Sequence, residues 1–195
     1  MVQNFLNVSE VDYLGGLDVH QQAGRIIIYT GNGKGKTTAA LGEGLRFWGE
    51  GKKVLILQFI KGVKVYGEFI AAGKMGADFT IKQMGLGFVR FATKDTIEQH
   101  RAAACQALQK AKEHMISGNY DLIILDEILY SIKFGLIDKL EVIELIKIKP
   151  EKLEIVLTGR DAPEELTNMA DIAIEVREVK HHLRQGILAQ KGIEF

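Results

Sequence analysis

Residues 25–38 constrain the fold of this chain more than any other segment. A β-branched run at 26–28 is followed by a turn with alternating glycines and then by an alanine- and leucine-rich helical pattern. A strand, a glycine-rich loop and a helix in this order are typical of a phosphate-binding loop. The loop consists of Gly31, Asn32, Gly33, Lys34, Gly35, Lys36, Thr37 and Thr38. The segment therefore predicts an α/β fold built around a nucleotide-binding loop.

The residue types in this loop suit a bound anion. Glycines let backbone N–H groups turn inward, and these groups and the positive end of the following helix attract phosphate. Lys36 adds a charge directed at the terminal phosphates, and Thr37 offers a hydroxyl to Mg²⁺. The strict motif has a glycine at the position of Thr30. A glycine-rich turn that binds nothing is therefore the alternative.

Short runs of Ile, Val and Leu alternate with helical patterns along the rest of the chain. The predicted strands are 25–30, 53–59, 78–84, 121–126, 153–158 and 171–176. Two of these runs are continuously apolar, as expected for parallel strands buried on both faces. The alternation predicts a P-loop NTPase-like, RecA-like sheet, mostly parallel, with helices on both faces. We expect residues 25–195 to form one domain and residues 1–24 an N-terminal arm.

The clearest predicted helix is 95–117, where apolar residues recur every three or four positions. Asp95 and Glu98 resemble a capping box at its start. Cys105 lies beside the apolar face, so we expect a buried structural thiol. Segments 60–76 and 85–94 are expected to be glycine-containing connections.

Composition bears on partners and location. The chain carries 25 basic and 25 acidic residues, which argues against nucleic acid as the main partner. No apolar run reaches the roughly 18 residues that a membrane span needs, so no membrane partner is expected. The polar, acidic N-terminus is unlike a signal peptide. We therefore expect a cytoplasmic protein.

A pair of carboxylates ends the predicted strand 121–126. Four apolar residues precede Asp126, and Glu127 follows it. Mg²⁺ prefers carboxylate oxygens, and it usually takes one or two of them together with water. Downstream of a phosphate loop, the pair is predicted to hold a metal or to position a water. The alternative is a strand that ends in a capping carboxylate.

Three further segments follow predicted strands. Arg160 would lie at the carboxyl edge of the sheet, near a nucleotide crevice, unless it is a solvated arginine in a turn. Lys61 either approaches the phosphates or faces solvent. Segment 84–91 contains two glycines and two phenylalanines. It is either a platform for a flat ligand or, as composition favours, the anchor of a long connection.

Taken together, these motifs resemble those of the corrinoid adenosyltransferases of the CobA/BtuR/CobO type. The shared segments are the glycine loop with Thr30 before it, QFIKG at 58–62, LDE at 125–127, TGR at 158–160, AD at 170–171, and the tail from Lys180 to Phe195. The resemblance covers residues 25–195. The tail is its most specific part, because a generic ATPase has no need of it.

The resemblance implies an activity: transfer of the 5′-deoxyadenosyl group of ATP to the Co(I) of a corrinoid, with release of triphosphate. It implies ATP, a corrinoid and Mg²⁺, a homodimer, and an electron-donor flavoprotein as a partner. Co(I) is itself the nucleophile, so no activating base is required. The nucleotide is implied to lie across the loop in the sense opposite to that of hydrolytic relatives.

The resemblance also implies roles for single residues. Lys36 neutralises the departing triphosphate, and Phe88 matches a phenylalanine that displaces the lower axial ligand of Co(II). Arg46 matches a nucleotide-contacting arginine, although a solvated helix residue is the alternative. Arg90 stands where the family has a tryptophan, and no role is transferred to it.

The complete predicted site has three parts. Lys36 and Phe88 are the predicted catalytic residues, and Thr37, Asp126 and Glu127 are the predicted metal ligands. The predicted nucleotide-binding residues are Gly31, Asn32, Gly33, Lys34, Gly35, Lys36, Thr37, Thr38, Arg46, Lys61 and Arg160. Three other functions fit a phosphate loop: a RecA-like ATPase, a small-molecule kinase, and a nucleotide-regulated binding protein without catalysis.

Overall fold

The computed structural model describes residues 23–62, 66–87, 89 and 93–193. The strands are β1 (Ile26–Thr30), β2 (Val54–Gln58), β3 (Phe79–Gln83), β4 (Leu122–Asp126), β5 (Glu154–Thr158) and β6 (Ile172–Glu175). The helices are α1 (Lys36–Gly49), α2 (Gly67–Met75), α3 (Lys94–Ile116), α4 (Ile128–Lys133), α5 (Lys139–Lys147) and α6 (Glu164–Met169), followed by a 3-10 turn at His182–Gln185. All six predicted strands are confirmed, with ends that agree to within one residue.

The strands form one sheet in the order β3-β2-β4-β5-β1-β6. Every neighbouring pair is parallel. The carboxyl ends of the strands therefore meet at one edge of the sheet, where ligands bind in open α/β folds. The segments that follow β1, β2, β4 and β5 carry the predicted site, and the topology places them at this common edge.

Successive strand residues enter two different cores. One core lies under α3, α4, α5 and α6, and the strands contribute Ile28, Leu55, Leu57, Ile123 and Leu125 to it. The other lies under α1 and α2, and the strands contribute Ile27, Val54, Ile56, Ile124 and Val156. The prediction of helices on both faces is confirmed. This is why the central strands are apolar at consecutive positions rather than alternate ones.

Helix α2 corrects one sequence-based expectation. Segment 60–76 was expected to be only a connection, but α2 occupies Gly67–Met75. The helix buries Ala72, while Phe69 and Ile70 remain exposed. With so little of it buried, α2 leaves a weak periodic pattern in the sequence.

The start of α3 and the position of Cys105 correct two more expectations. The helix begins at Lys94, and Thr93 is its N-cap: the Thr93 side chain accepts from Thr96 N at 3.3 Å, and Thr96 Oγ1 accepts from Thr93 N at 2.7 Å. The predicted Asp95–Glu98 box is wrong, because the helix starts before it. Cys105 is exposed. It lies one position around the helix from buried Ala104, and its Sγ lies 3.9 Å from Leu136 O. None of the described helices is both long and apolar enough to cross a membrane.

Lys149 links segments that precede β1 and β5, at the amino-terminal edge of the sheet. Its Nζ lies within hydrogen-bond distance of four carbonyl oxygens, those of Gly24 (2.6 Å), Leu153 (2.8 Å), Pro150 (3.1 Å) and Glu151 (3.4 Å). One ammonium group thus joins the entry to β1 with the turn before β5. Removing the ammonium group would leave these carbonyl oxygens without a charged hydrogen-bond donor and would lower the stability of the protein.

We expect Lys149→Met to lower the free energy of unfolding by about 1–2 kcal/mol, because it removes charge-assisted hydrogen bonds and keeps most of the side-chain volume. Chemical denaturation is the measurement. Lys147→Met is the matched control, since Lys147 forms an exposed ion pair with Glu144 at 2.8 Å. The control should change stability by at most about 0.5 kcal/mol. Equal effects of the two substitutions would contradict the role given to Lys149.

Candidate nucleotide-binding site

The glycine loop between β1 and α1 is shaped by two backbone requirements. Gly31 and Gly35 have φ values of +99° and +116°, in the region that favours glycine. Gly33 donates its N–H to Val176 O at 2.7 Å, and a Cβ on Gly33 would lie 2.6 Å from Arg177 O. The loop is therefore pressed against the chain that follows β6, and a side chain at position 33 would break this contact.

A cleft of about 480 Å³ opens over the loop at the carboxyl edge of the sheet. The loop contributes residues 33–38 to its wall. The other elements contribute Lys61, Glu68, Glu127, Tyr130 and Arg160, together with His181 and Ile193 from the tail. The structure thus brings together most of the residues predicted to bind the nucleotide, although their segments are far apart in the chain.

Some predicted site residues lie elsewhere. Asn32 is an exposed residue of the loop. Gly31 packs against the chain after β6, and a Cβ on Gly31 would lie 2.6 Å from Val176 O. The Arg46 side chain is 80% exposed on α1 and lies 3.8 Å from Glu43. In this structure Arg46 has the solvated position that was the alternative. Phe88 and Arg90 lie outside the described residues.

Asp126 lies at the base of the cleft and is fully buried. Its Oδ1 accepts hydrogen bonds from Thr37 Oγ1 at 2.7 Å and from Thr158 Oγ1 at 2.8 Å. Its Oδ2 accepts from Gln58 Nε2 at 3.2 Å and lies 4.0 Å from Lys61 Nζ. Both carboxylate oxygens are engaged by protein groups. Asp126 therefore fixes the position of the Thr37 hydroxyl rather than facing the cleft itself.

Glu127 is the carboxylate that faces the cleft. Its backbone is left-handed, with φ of +64°, and its N–H donates to Thr158 Oγ1 at 2.9 Å. Burial, with the neighbouring charge of Asp126, raises the pKa of Glu127 to about 7. Within the described part of the chain, no hydrogen-bond donor reaches its side-chain oxygens. A carboxylate with a raised pKa on a strained backbone is typical of functional sites.

Lys61 is already paired within the protein. Its Nζ donates to Glu68 Oε1 at 2.6 Å and lies 5.0 Å from the Tyr66 ring centroid. Although burial lowers the pKa of Lys61, the charges of Asp126 and Glu68 raise it overall. Glu68 is a site residue that the sequence reasoning missed. It lies on α2, and no motif marked the segment that contains it.

Lys36 and Arg160 supply positive charge that faces the cleft. Lys36 Nζ donates to Gly33 O at 2.6 Å, and its pKa is lowered by burial and then by the charge of Arg160. The Nε of Arg160 is buried without a hydrogen-bond partner. Two partly desolvated cations that repel each other form a site that an anion would stabilise.

The charged groups of the cleft suit an anionic ligand. Among the described residues, no group of three or more His, Cys, Asp or Glu side chains is placed to hold a metal by itself. A metal at this cleft would therefore share a hydroxyl, one carboxylate and oxygens of the ligand. This is how Mg²⁺ is usually bound beside phosphates.

Known proteins are similar to this chain in sequence. The family model described as ATP:corrinoid adenosyltransferase BtuR/CobO/CobP matches residues 22–195. The corrinoid adenosyltransferase of Escherichia coli (strain K12) is 37% identical over 176 residues, which are 89% of this chain and 87% of that protein. Corrinoid adenosyltransferase CobA of Salmonella typhimurium is 35% identical over 176 residues, with 90% and 87% covered. A corrinoid adenosyltransferase of Sinorhizobium sp is 38% identical over 178 residues, with 89% and 81% covered.

The match spans the glycine loop, the carboxylates after β4 and the arginine after β5, the same segments that the fold assembles around the cleft. The chain belongs to the ATP:corrinoid adenosyltransferase family.

Proposed function

We propose that this protein transfers the 5′-deoxyadenosyl group of ATP to the Co(I) of a corrinoid and releases triphosphate. The observation that carries the proposal is the convergence of Lys36 and Arg160 on a cleft over the glycine loop, in a chain that matches the family model over residues 22–195. Such a site holds a leaving polyphosphate. It does not need to activate a nucleophile, because Co(I) carries its own electron pair.

The protein residues stabilise the charge that develops during transfer. The cobalt electron pair forms the Co–C5′ bond, and the C5′–O bond breaks with its electron pair left on the triphosphate oxygen. Backbone N–H groups of the loop, Lys36 and Arg160 face this growing negative charge from fixed positions. Charge stabilisation by preorganised groups is usually the largest catalytic term, and it needs no reorganisation during the reaction.

Mg²⁺ fits the donors at the base of the cleft. The Thr37 hydroxyl donates a hydrogen bond to Asp126 Oδ1 at 2.7 Å, so its oxygen lone pairs remain available to a cation. The Glu127 carboxylate faces the same cleft and has a raised pKa, which an adjacent cation would lower again. We assign Thr37 and Glu127 as the residues that hold the ion, with Asp126 orienting Thr37. When bound, the ion supplies positive charge that offsets the charge of the triphosphate.

The loop before Phe88 is anchored at this edge of the sheet. Gly85 N donates to Gln58 O and to Lys61 O, both at 3.2 Å, and Gly87 N donates to Ile60 O at 2.8 Å. A Cβ on Gly85 would lie 2.3 Å from the Ile60 carbonyl carbon. The family resemblance gives Phe88, the next residue in the sequence, the displacement of the lower axial ligand of the corrinoid.

We expect Phe88→Ala to slow adenosylation from Co(II) corrinoid with a reductant by about tenfold or more, a typical loss for a positioned catalytic contact. Adenosylation from chemically pre-reduced Co(I) should change far less, because no ligand has to be displaced from it. Rates of alkylcobalt formation by absorbance measure both, and Phe69→Ala, an exposed phenylalanine on α2, is the control. Equal losses with the two cobalt states would exclude the role given to Phe88.

The proposal also includes the fold type, the oligomeric state, the electron donor and the cellular location. The parallel sheet with its loop after β1 supports a P-loop NTPase-like fold of the RecA-like type. The resemblance supports a homodimer, to be checked by sedimentation. A reduced cobalt needs an electron donor, and a flavoprotein in the cytoplasm is the proposed source.

The experiment that tests the function follows the oxygen between C5′ and the α-phosphorus. ATP labelled with ¹⁸O at that bridge should yield labelled triphosphate, because the C5′–O bond breaks, and only when reduced corrinoid is present. Label that remains on the sugar would contradict the proposal. ADP and orthophosphate without corrinoid would indicate an ATPase, and a phosphorylated acceptor would indicate a kinase.

A further inference from the structure

Helix α4 presents an aromatic stack beside the cleft. The rings of Tyr130 and Phe134 lie 5.6 Å apart, centroid to centroid, at an interplanar angle of 16°. Tyr130 is half-buried and lines the cleft, whereas Phe134 is the residue that ends the helix. The stacked Phe134 ring therefore supports the Tyr130 ring.

A glycine brings the end of β5 against this stack. Gly159 has φ of +147°, and a Cβ there would lie 2.6 Å from Leu129 Cβ and 2.9 Å from Tyr130 N. Only a residue without a side chain permits this approach. The next residue, Arg160, is consequently placed with its guanidinium carbon 5.8 Å from the Tyr130 ring centroid.

Among the described residues, Arg160 has an aromatic neighbour and no ion-pair partner. The adjacent carboxylate, Asp161, pairs with Lys133 at 2.6 Å. Among the described residues Arg160 forms no ion pair, and its Nε is buried without an acceptor. A buried donor without a partner calls for an explanation, and a ligand absent from the protein itself is one.

We propose that Tyr130, supported by Phe134, is a positioning residue that holds the Arg160 guanidinium toward the triphosphate. The inference rests on the proposed function, because it concerns the same cleft. An aromatic face attracts a guanidinium and restricts its side-chain rotamers, and these effects reduce the entropy lost when a phosphate is bound. A guanidinium held in this way can bind phosphate oxygens through two parallel hydrogen bonds.

The test is calorimetric titration with inorganic triphosphate, which needs no corrinoid. Tyr130→Leu should weaken binding by about threefold to tenfold, which lies between the values for an exposed and a desolvated cation–π contact. The Tyr130→Phe variant should bind triphosphate with an affinity within about twofold of the wild type, because its ring is kept and only the hydroxyl is removed. Phe134→Leu, at a more exposed position, should give a smaller loss and serves as the second variant if Tyr130→Leu folds poorly.

A double-mutant cycle separates positioning from general damage. In an Arg160→Ala background, Tyr130→Leu should cause no further loss of triphosphate affinity, because the group it positions is already absent. The same loss in both backgrounds, or a Tyr130→Phe variant as weak as Tyr130→Leu, would overturn the inference while leaving the proposed function intact. Wild-type protein that binds triphosphate no better than Lys36→Ala would overturn the proposed function itself.

Discussion

Replacing Lys36 with alanine is expected to lower kcat/KM for ATP by about 10²–10³-fold, the range found when a preorganised charge-stabilising donor is removed. The Lys36 ammonium is partly desolvated, and its lowered pKa reflects burial and the charge of Arg160. A phosphate bound nearby supplies a counter-charge for these two cations. The loss should therefore fall on the transition state, where the leaving triphosphate gains charge, and also on ATP affinity.

Steady-state rates of adenosylcorrinoid formation measure this effect. Lys74→Ala removes the same charge from an exposed position on α2 and should leave the rate unchanged. The unfolding midpoint of Lys36→Ala should stay close to that of the wild type, because the hydrogen bond lost is a single one to Gly33 O. A Lys36→Ala enzyme with more than half of the wild-type activity would contradict the placement of the triphosphate in this cleft.

Replacing Glu127 with glutamine is expected to change activity and stability in opposite directions. Activity should fall by about 10²-fold or more, because the substitution removes the carboxylate assigned to the cation beside the triphosphate. In the absence of nucleotide and metal, the free energy of unfolding at pH 8 should rise by about 1–3 kcal/mol. The gain arises because glutamine does not bury the charge that Glu127 carries at that pH.

The direction of the pH dependence follows from the raised pKa. In the folded protein the pKa of Glu127 is raised to about 7, from an ordinary value of 4.5, by burial and by Asp126. Between these two values the folded state binds more protons than the unfolded state, so wild-type stability falls as pH rises through this window. The glutamine variant lacks this fall. The two proteins should therefore have similar stability below the lower value and differ most above pH 7.

Denaturation in EDTA at pH 4, 6 and 8 is the measurement, and Glu144→Gln is the control. Glu144 is exposed and pairs with Lys147 at 2.8 Å, so its substitution should give nearly the same pH curve as the wild type. A stability gain for Glu127→Gln that is the same at all three pH values would contradict the titration argument. Unchanged activity would contradict the cation assignment.

The strands and the loop were predictable because local patterns encode them. Continuous apolar runs at β2 and β4 predicted buried parallel strands, and both are fully buried. Glycines 31, 33 and 35 followed by Lys36 and Thr37 predicted the phosphate loop. These signals depend on neighbours in the chain, so the sequence shows them directly.

The different positions of the two carboxylates, Asp126 and Glu127, could not be predicted from local patterns. Asp126 and Glu127 were both expected to be metal ligands, but Asp126 is surrounded by donors from Thr37, Thr158 and Gln58. These donors come from three other segments, and only the parallel register places them around one side chain. Glu127 faces the cleft because its backbone turns left-handed at the end of β4.

The sequence by itself determined the parallel α/β architecture, the position of the glycine loop between β1 and α1, and the family to which the chain belongs, since each depends on residues close together in the chain or on an ordered set of motifs. Only the tertiary structure decided which charges remain available to a ligand. In the part of the chain that the structure describes, Lys61 is paired with Glu68, Arg46 is solvated, and Arg160 lies 5.8 Å from the Tyr130 ring centroid and forms no ion pair. Charge pairing depends on distances across the folded chain, and these distances are fixed by packing at the edge of the sheet.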